Sequence, residues 1–414
     1  MSDIKALIAM KGRLKLHRFV KKSNNYCRYG YENLLWLELL LRLLGLNSLR
    51  EKVNFLKHLE GEGRLAIFYQ RSQVHFIKSV SVPSLATFSQ YKRHFNTNQC
   101  TYDDLFKLLS QEVQQALFLK ETMAHVAVDA KSILNTGLSR HTHVQNIHAT
   151  LGQQLLLHDT TDNESRWVKH HFYEFLAQLK SLPLLKDKQI LLTGDGLYNN
   201  QNTRKHLRDK GFYYLLPVKS PPKRLRRLLS HKKPIRTEEK TEKVKQQVIH
   251  RKSTLYKIKA NGEGITYSLV IEKTLHSLRN NTQKKQIQTL ISNCPDETLD
   301  YALIKQHHWQ VETFHKMKDV WFKEDRYHKS KQNASSYSFI NNILAFITQC
   351  LGIKKQNELK ILSFELYQWL VHWLKKIYQT VLKRIDTIFV TRYTCNYKSI
   401  NFIKEIFICH SNTT

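Results

Sequence analysis

His125-Val126-Ala127-Val128-Asp129 and Gln189-Ile190-Leu191-Leu192-Thr193-Gly194-Asp195 are two short apolar runs, each ending in an aspartate followed by a small residue. Their length and β-branched content read as strands, and the aspartates as the points where those strands open into loops. An α/β sheet usually places its chemistry at such ends. Working outward, residues 144–151 and 154–160 read as antiparallel neighbours of the first run. A helix is expected over about 165–179, another near 202–210, and a further strand over 212–218. The order β-β-β-α-β-α-β predicts a mixed sheet with helices on both faces, the ribonuclease H-like arrangement.

A third acid stands on a different kind of element. Over residues 305–325, Val311, Phe314, Met317 and Trp321 recur at helical spacing, and His308, Glu312, His315, Lys316 and Asp319 follow one another on the adjacent polar stripe. Glu312 therefore sits where core meets solvent, a place where packing can fix a carboxylate that still reaches a ligand. The ordinary alternative is an amphipathic helix with a solvated, ion-paired face. Asp129, Asp195 and Glu312 are separated by 195−129 = 66 and 312−195 = 117 positions. Two strand-end aspartates and one helix-borne glutamate are the parts of a two-metal phosphoryl-transfer site. Glu312 and His315 also fit the Glu-x-x-His spacing of di-iron bundles, but a second copy is missing. The histidines at 141, 143, 148, 170, 171, 307 and 308 offer clusters that need no metal in a basic chain. No Walker loop, dinucleotide-binding glycine motif or nucleophile elbow is present, which argues against ATP use, nicotinamide binding and α/β-hydrolase chemistry.

These blocks resemble the DDE transposases of bacterial insertion sequences, in particular the H-repeat-associated type. Val128-Asp129-Ala130-Lys131-Ser132 is similar to the family's Asp-Gly-Lys-Thr strand end, and Thr193-Gly194-Asp195-Gly196 with Gln201 to its Thr-x-Asp-Ala block. Tyr213 to Lys219 resembles a following Tyr-Leu-Leu-Ala-Leu-Lys strand, and His308-Trp309 through Glu312 to Glu324-Asp325 resembles the third block. The chain departs from the pattern at Ala130, Gln306, Thr313 and Ser220-Pro221-Pro222, and no candidate metal ligand is lost. The resemblance covers roughly residues 80–350 and implies the ribonuclease H-like fold, with a β-rich insertion between the second aspartate and the glutamate. It implies that Asp129, Asp195 and Glu312 hold two Mg²⁺ ions, or Mn²⁺, about 4 Å apart. The chain would then cut DNA at element ends and join those ends to target DNA. A decayed or repurposed transposase that only binds DNA is the alternative, and a structure-specific nuclease a third reading.

Charge points to the same partner. The 66 lysines and arginines against 34 acids give a net charge of +32, spread along all 414 residues, an excess that fits a polyanion, nucleic acid before anionic membrane. No export signal or membrane-length apolar run is visible, so a cytoplasmic, nucleoid-associated protein is expected. The six cysteines form no Cys-x-x-Cys pair and read as reduced thiols.

Three regions are expected: a helical, DNA-end-binding region over 1–120, the catalytic domain over 121–352 with its β-rich insertion at about 220–298, and a helical extension over 353–414. In the first, Ser48 and Glu51 form a capping-box pattern, and helices are expected to open at Ser84 and near Asp104. Gln90, Lys92 and Arg93 would enter a groove from the Ser84 helix, the alternative being a helical cap on the catalytic domain. Lys223, Arg224, Arg226 and Arg227 are expected phosphate contacts, and Lys131, Lys219 and Lys316 would position phosphates in the site. An apolar helix over 335–349 should pack beneath the Glu312 helix, and a long amphipathic helix over 362–381 would serve dimerisation, core completion or membrane-surface contact. A homodimer on double-stranded DNA is the expected assembly.

Overall fold

The computed structural model describes residues 2–371 except 22–28, 77–79, 96–99, 107, 110–113, 116–117, 119–121, 134–143, 220, 222, 245–246, 261–263, 278–281, 298 and 325–330. Asp325, His141 and His143, and the part of the expected C-terminal helix from residue 372 on, lie outside the described residues. The chain forms two compact units: residues 1–96 with 321–323 and those from 336 on, and residues 97–320 with 324–335.

The first unit opens with helices α1 (Ser2–Arg13), α2 (Tyr31–Leu43), α3 (Leu49–Gly61), α4 (Leu65–Arg71) and α5 (Leu85–Gln90). Helix α3 starts on the expected capping box, with the Glu51 amide donating to Ser48 Oγ at 3.1 Å and the Ser48 amide to Glu51 Oε2 at 2.8 Å. Helix α2 buries Leu34 to Leu43 without a break, and Glu38 lies at its centre, 0 % exposed. Lys52 Nζ stands 2.7 Å from the Glu38 carboxylate, Lys92 Nζ 3.1 Å and Arg42 Nε 3.5 Å, while the Tyr91 hydroxyl donates to it at 2.5 Å. Burial opposes the Glu38 charge, but these cations prevail and hold its carboxyl well below the usual range.

This cluster corrects the expected groove-reading helix. The expected helix ends at Gln90 and continues as a 3₁₀ turn over Tyr91–His94 that directs Tyr91 and Lys92 inward to Glu38. Lys92 is thus a buried ion-pair partner and is not offered to DNA, whereas Arg93 is exposed.

The second unit contains β1 (Cys100–Thr101), α6 (Asp103–Phe106), β2 (Met123–Ile133), β3 (Val144–Leu151), β4 (Gln154–Thr161), α7 (Glu164–His170), α8 (Phe172–Ser181), β5 (Gln189–Thr193), α9 (Gln201–Asp209) and β6 (Tyr213–Val218). Next come α10 (Lys223–His231), β7 (Arg236–Val244), β8 (Gln247–Ala260), β9 (Gly264–Ser277), β10 (Thr282–Ser292) and most of α11 (Tyr301–Phe322). The strands form one ten-stranded sheet in the order β1-β4-β3-β2-β5-β6-β10-β9-β8-β7. Strands β2, β5 and β6 are parallel, and β3 and β4 extend the sheet antiparallel on the β2 side.

The β-rich segment expected at about 220–298 continues the same sheet, because β10 pairs antiparallel with β6 from Thr289 to Ser292. Helix α7 lies on one face, where the Trp167 indole donates to Asp159 of β4 at 2.6 Å. Helix α11 lies on the other, packing Tyr301 and Ile304 with Met123, Leu191, Leu215 and Leu290 in one apolar cluster.

Helices α12 (Lys331–Cys350) and α13 (Gln356–Val371) follow. From Ser336 on, α12 belongs to the first unit, where Phe339 meets Phe19 and Phe95, and Arg42 donates to Asn341 at 2.6 Å. Its apolar face thus completes the N-terminal core. In α13, Leu362, Leu366 and Leu370 are buried, and the helix packs on α1, α2 and α4, which is core completion. No helix among the described residues is long and apolar enough to cross a membrane.

Removing Glu38 would leave three buried cations without their counter-charge. Glu38→Ala should cost about 3–5 kcal/mol in chemical denaturation, as for other broken buried pairs; a loss below about 1 kcal/mol would contradict the arrangement.

Candidate active site

Register places the two aspartates. Ala127 of β2 pairs with Thr193 at the end of parallel β5, so Asp129 stands two residues further along β2 and Asp195 two residues past the same pair. Neighbouring strands lie about 4.8 Å apart. Contrary to expectation Asp129 does not end its strand, since β2 runs on to Ile133 paired with β3 alone. It stands where β5 drops away, and that opening admits solvent and α11. Asp195 lies just past β5, and its Oδ1 accepts from the Leu197 amide at 2.7 Å.

The glycines around Asp195 allow a close approach. A Cβ on Gly194 would lie 2.9 Å from the Tyr198 ring, and one on Gly196 would lie 2.6 Å from Lys219 Cε. Tyr198 is fully buried and donates its hydroxyl to Glu164 Oε1 at 3.2 Å.

Helix α11 is fixed to this face by buried polar contacts. Thr193 Oγ1 lies 2.8 Å from His125 Nε2 and 3.0 Å from His308 Nδ1. Two and nearly three turns on, His315 Nε2 lies 2.9 Å from His148 Nδ1, and Lys318 Nζ 3.2 Å from His148 Nε2. Lys318 also meets Glu324 at 2.9 Å, and Lys131 pairs with Glu324 and Asp319. Burial is the first cause that pushes His125, His308 and His315 down to about 3, so all three imidazoles are neutral at pH 7. Burial pulls Lys318 down to about 8. It opposes the charge on Lys131 too, but the Glu324 and Asp319 carboxylates more than offset it.

Glu312 lies between His308 and His315 on this stripe and is exposed. Burial, followed by the charges of Asp195, Glu164 and Glu312, pushes the Asp129 carboxyl up to about 7. Half-buried Lys305 is lowered by burial and drawn back up by Glu312, Asp129 and Asp195. Asp129 therefore feels the other two acids, and Lys305 feels all three. The His315 Nδ1 stands 3.7 Å from Asp129 Oδ2, too far for a hydrogen bond.

Residues 120–347 match the family model described as the transposase DDE domain, more than half of the chain. The chain belongs to the DDE transposase family. No curated protein matches it. Among solved structures it is similar to piggyBac transposase in a cryo-EM synaptic complex with hairpin DNA, at 10 % identity and a TM-score of 0.39, covering 93 % of this chain and 85 % of that one. So distant a likeness carries no argument about the site.

Of the expected site residues, Asp195 and Glu312 lie near enough to Asp129 for their charges to raise its carboxyl. Lys219 is exposed and lies over Gly196 beside Asp195, and Lys316 is exposed one turn beyond Glu312. Lys131 is 9 % exposed and occupied by two carboxylates, so it clamps the end of α11 and does not reach a phosphate. Lys223, Arg226 and Arg227 are exposed on α10, and the Arg224 side chain lies outside the described ones. Glu164 and Lys305 were missed. Glu164 reads in sequence as an ordinary first-turn acid of α7; its place follows from the strand register, with its amide donating to Gln145 of β3 at 2.7 Å. Its carboxyl is raised by burial and then by Asp195.

Among the described residues no three His, Cys, Asp or Glu side chains converge as a ready metal group. The chemistry of the donors nonetheless suits hard divalent cations. They are carboxylates, crowded enough that one of them retains a proton near neutral pH, which a cation would replace.

A carboxyl raised in the folded state stabilises the fold while protonated and loses that contribution as pH rises from about 4 through about 7. In metal-free buffer, Asp129→Asn should therefore melt progressively higher than the native protein between pH 5 and pH 8, by a few degrees at the upper end. A melting difference that does not change with pH would contradict the buried acid cluster.

Proposed function

We propose that this transposase is a metal-dependent DNA-cutting and DNA-joining enzyme of the bacterial insertion-sequence, H-repeat-associated type. The observation that carries this reading is that Asp129 on β2 and Asp195 just past parallel β5 each follow the Ala127–Thr193 pair by two residues, with Glu312 and Lys305 of α11 within their field. The strand order β4-β3-β2-β5-β6, antiparallel for the first pairs and parallel for the last, supports a ribonuclease H-like sheet as its frame.

Two divalent cations, Mg²⁺ or Mn²⁺, held by Asp129, Asp195 and Glu312 would activate water or a DNA 3′-hydroxyl and stabilise the leaving oxygen of the phosphodiester. The protein's own contribution is positional. The Asp195 carboxylate is oriented by the Leu197 amide. Glu312 is fixed by the buried contacts of His308 and His315 on either side of it. Lys219 and Lys316 stand free at the rim to hold phosphates of element ends and target. Glu164, tied to Tyr198, adds a fourth carboxylate that raises the cluster's appetite for cations. The partners in this reading are double-stranded DNA and a second copy of the chain upon it.

End-labelled DNA carrying the flanking element ends should be nicked at the boundary with Mg²⁺ or Mn²⁺. Asp195→Asn and Glu312→Gln should reduce this to background, and Glu164→Gln should lower it by about 10–100-fold. Cleavage retained by Asp195→Asn would refute the site. Metal-independent binding without cutting by the native protein would favour a transposase repurposed as a DNA-binding protein.

A further inference from the structure

Among the buried groups behind the acids, one line of contacts has a direction. Lys318 Nζ lies 3.2 Å from His148 Nε2, and His148 Nδ1 lies 2.9 Å from His315 Nε2. The remaining ring nitrogen of His315, Nδ1, faces Asp129 Oδ2 at 3.7 Å. All four residues belong to the second unit, and Lys318, His148 and His315 are buried.

Lys318 sets the polarity. An ammonium has protons to donate and no lone pair with which to accept one. Burial pulls Lys318 down only to about 8, because the buried Glu324 carboxylate stands 2.9 Å from it, so it is charged at pH 7. His148 Nε2 is therefore an acceptor. Burial and then the charge of Lys318 keep the His148 imidazole neutral, and a neutral imidazole carries a single N–H. That proton sits on Nδ1 and is donated to His315 Nε2. The same count applied to the neutral His315 leaves its own proton on Nδ1, the atom that faces Asp129. The Thr193 hydroxyl between His125 and His308 differs, since a hydroxyl can donate to either ring and fixes neither tautomer.

The surroundings hold these rings in place. His158, paired with His148 across β4 and β3, stacks on it with ring centroids 5.4 Å apart, and Phe314 meets it edge-on at 5.4 Å. Lys131, the other lysine whose charge His148 feels, is engaged by Glu324 and Asp319. Side chains so packed leave little room for a ring to turn over.

The direction matters because a carboxylate only accepts. With its proton on Nδ1, His315 offers Asp129 an N–H; the opposite tautomer would turn a lone pair toward the carboxylate oxygen and repel it. A shift of under about 1 Å closes the gap to hydrogen-bond length. Carboxylates that ligate metal ions are themselves commonly held by such hydrogen bonds.

We propose that Lys318 is a positioning residue for the acid cluster: through His148 it holds the His315 proton on Nδ1, where it orients the Asp129 carboxylate for a divalent cation. The proposal rests on the reading of Asp129 as a cation ligand, and adds a fully buried lysine on which the precision of that ligand depends.

The test uses the full chain with isotope-labelled histidine, in which long-range proton-nitrogen correlation spectra distinguish a neutral ring protonated on Nδ1 from one protonated on Nε2. Comparison with His148→Gln and His315→Gln assigns the two rings. In metal-free buffer at pH 7 the native protein should show both protonated on Nδ1, a result that requires no substitution at Lys318. Lys318→Met removes the donor and should shift both rings toward the Nε2 form, whereas Lys318→Arg keeps a donor and should retain Nδ1. Mn²⁺ binding, read by electron paramagnetic resonance, should weaken by about 10–100-fold in Lys318→Met and be largely restored in Lys318→Arg. A native ring at either position protonated on Nε2 would overturn the proposal. Equal weakening by Met and Arg, with the rings of the Arg variant still protonated on Nδ1, would reduce Lys318 to packing and overturn it too. Native Mn²⁺ affinity in a folded Lys318→Met would overturn it while leaving the cation site standing. Failure of the native protein to bind Mn²⁺ would overturn both.

Discussion

Everything at the site depends on helix α11 lying at one height and one rotation across the sheet, and buried polar contacts set both. His308 against Thr193 and His125, and His315 against His148, fix the helix one turn before and one turn after Glu312. Because burial keeps these imidazoles neutral, they hydrogen-bond without adding cations beneath a carboxylate cluster. The last turns are held by Glu324, which binds Lys318 from the helix and Lys131 from β2. Buried polar networks of this kind cost much to leave half-made, so the helix has few alternative positions in which those groups are satisfied. The exposed Glu312 inherits its precision from its buried neighbours.

Both units use the same device. Glu38 and Glu324 are each fully buried, and each gathers lysines out of solvent. The basic excess of the chain therefore has two populations. Lys52, Lys92, Lys131 and Lys318 are structural, whereas those on α10 and on β7 to β10 are presented to solvent. A sequence shows the sum of the two and cannot separate them, because burial of a lysine depends on a carboxylate distant in the chain: Glu38 is 54 residues from Lys92 (92−38) and Glu324 is 193 from Lys131. Lys92 and Lys131 read as DNA contacts for that reason.

The strand runs ending near Asp129 and Asp195, the Ser48 capping box, the β-rich character of the 236–292 segment and the border position of Glu312 were all legible, because each rests on local pattern. The continuity of the sheet through β10 was not, since strand pairing between β6 and β10 spans a separation that periodicity does not encode. Glu164 escaped for the same reason, as its approach to Asp195 is made by the β2-β3-β4 meander and not by any spacing in the chain. The apolar helix after residue 335 was recognised as a helix, and its Tyr337 meets the end of the Glu312 helix at Phe322, but its packing on Phe19 and Phe95 was not legible; hydrophobicity tells a helix to be buried and not where.

If Asp129 on β2, Asp195 just past β5 and Glu312 on α11 form one cation site, each must contribute to holding a divalent ion. Titrating Mn²⁺ into the native protein, Asp129→Asn and Glu312→Gln, with free Mn²⁺ followed by electron paramagnetic resonance, tests it without requiring turnover or DNA. The native chain should remove Mn²⁺ from solution more strongly as pH rises through about 7, and either substitution should weaken this uptake. If Glu312→Gln binds Mn²⁺ as the native protein does while Asp129→Asn does not, the helix does not complete the site and the account is wrong.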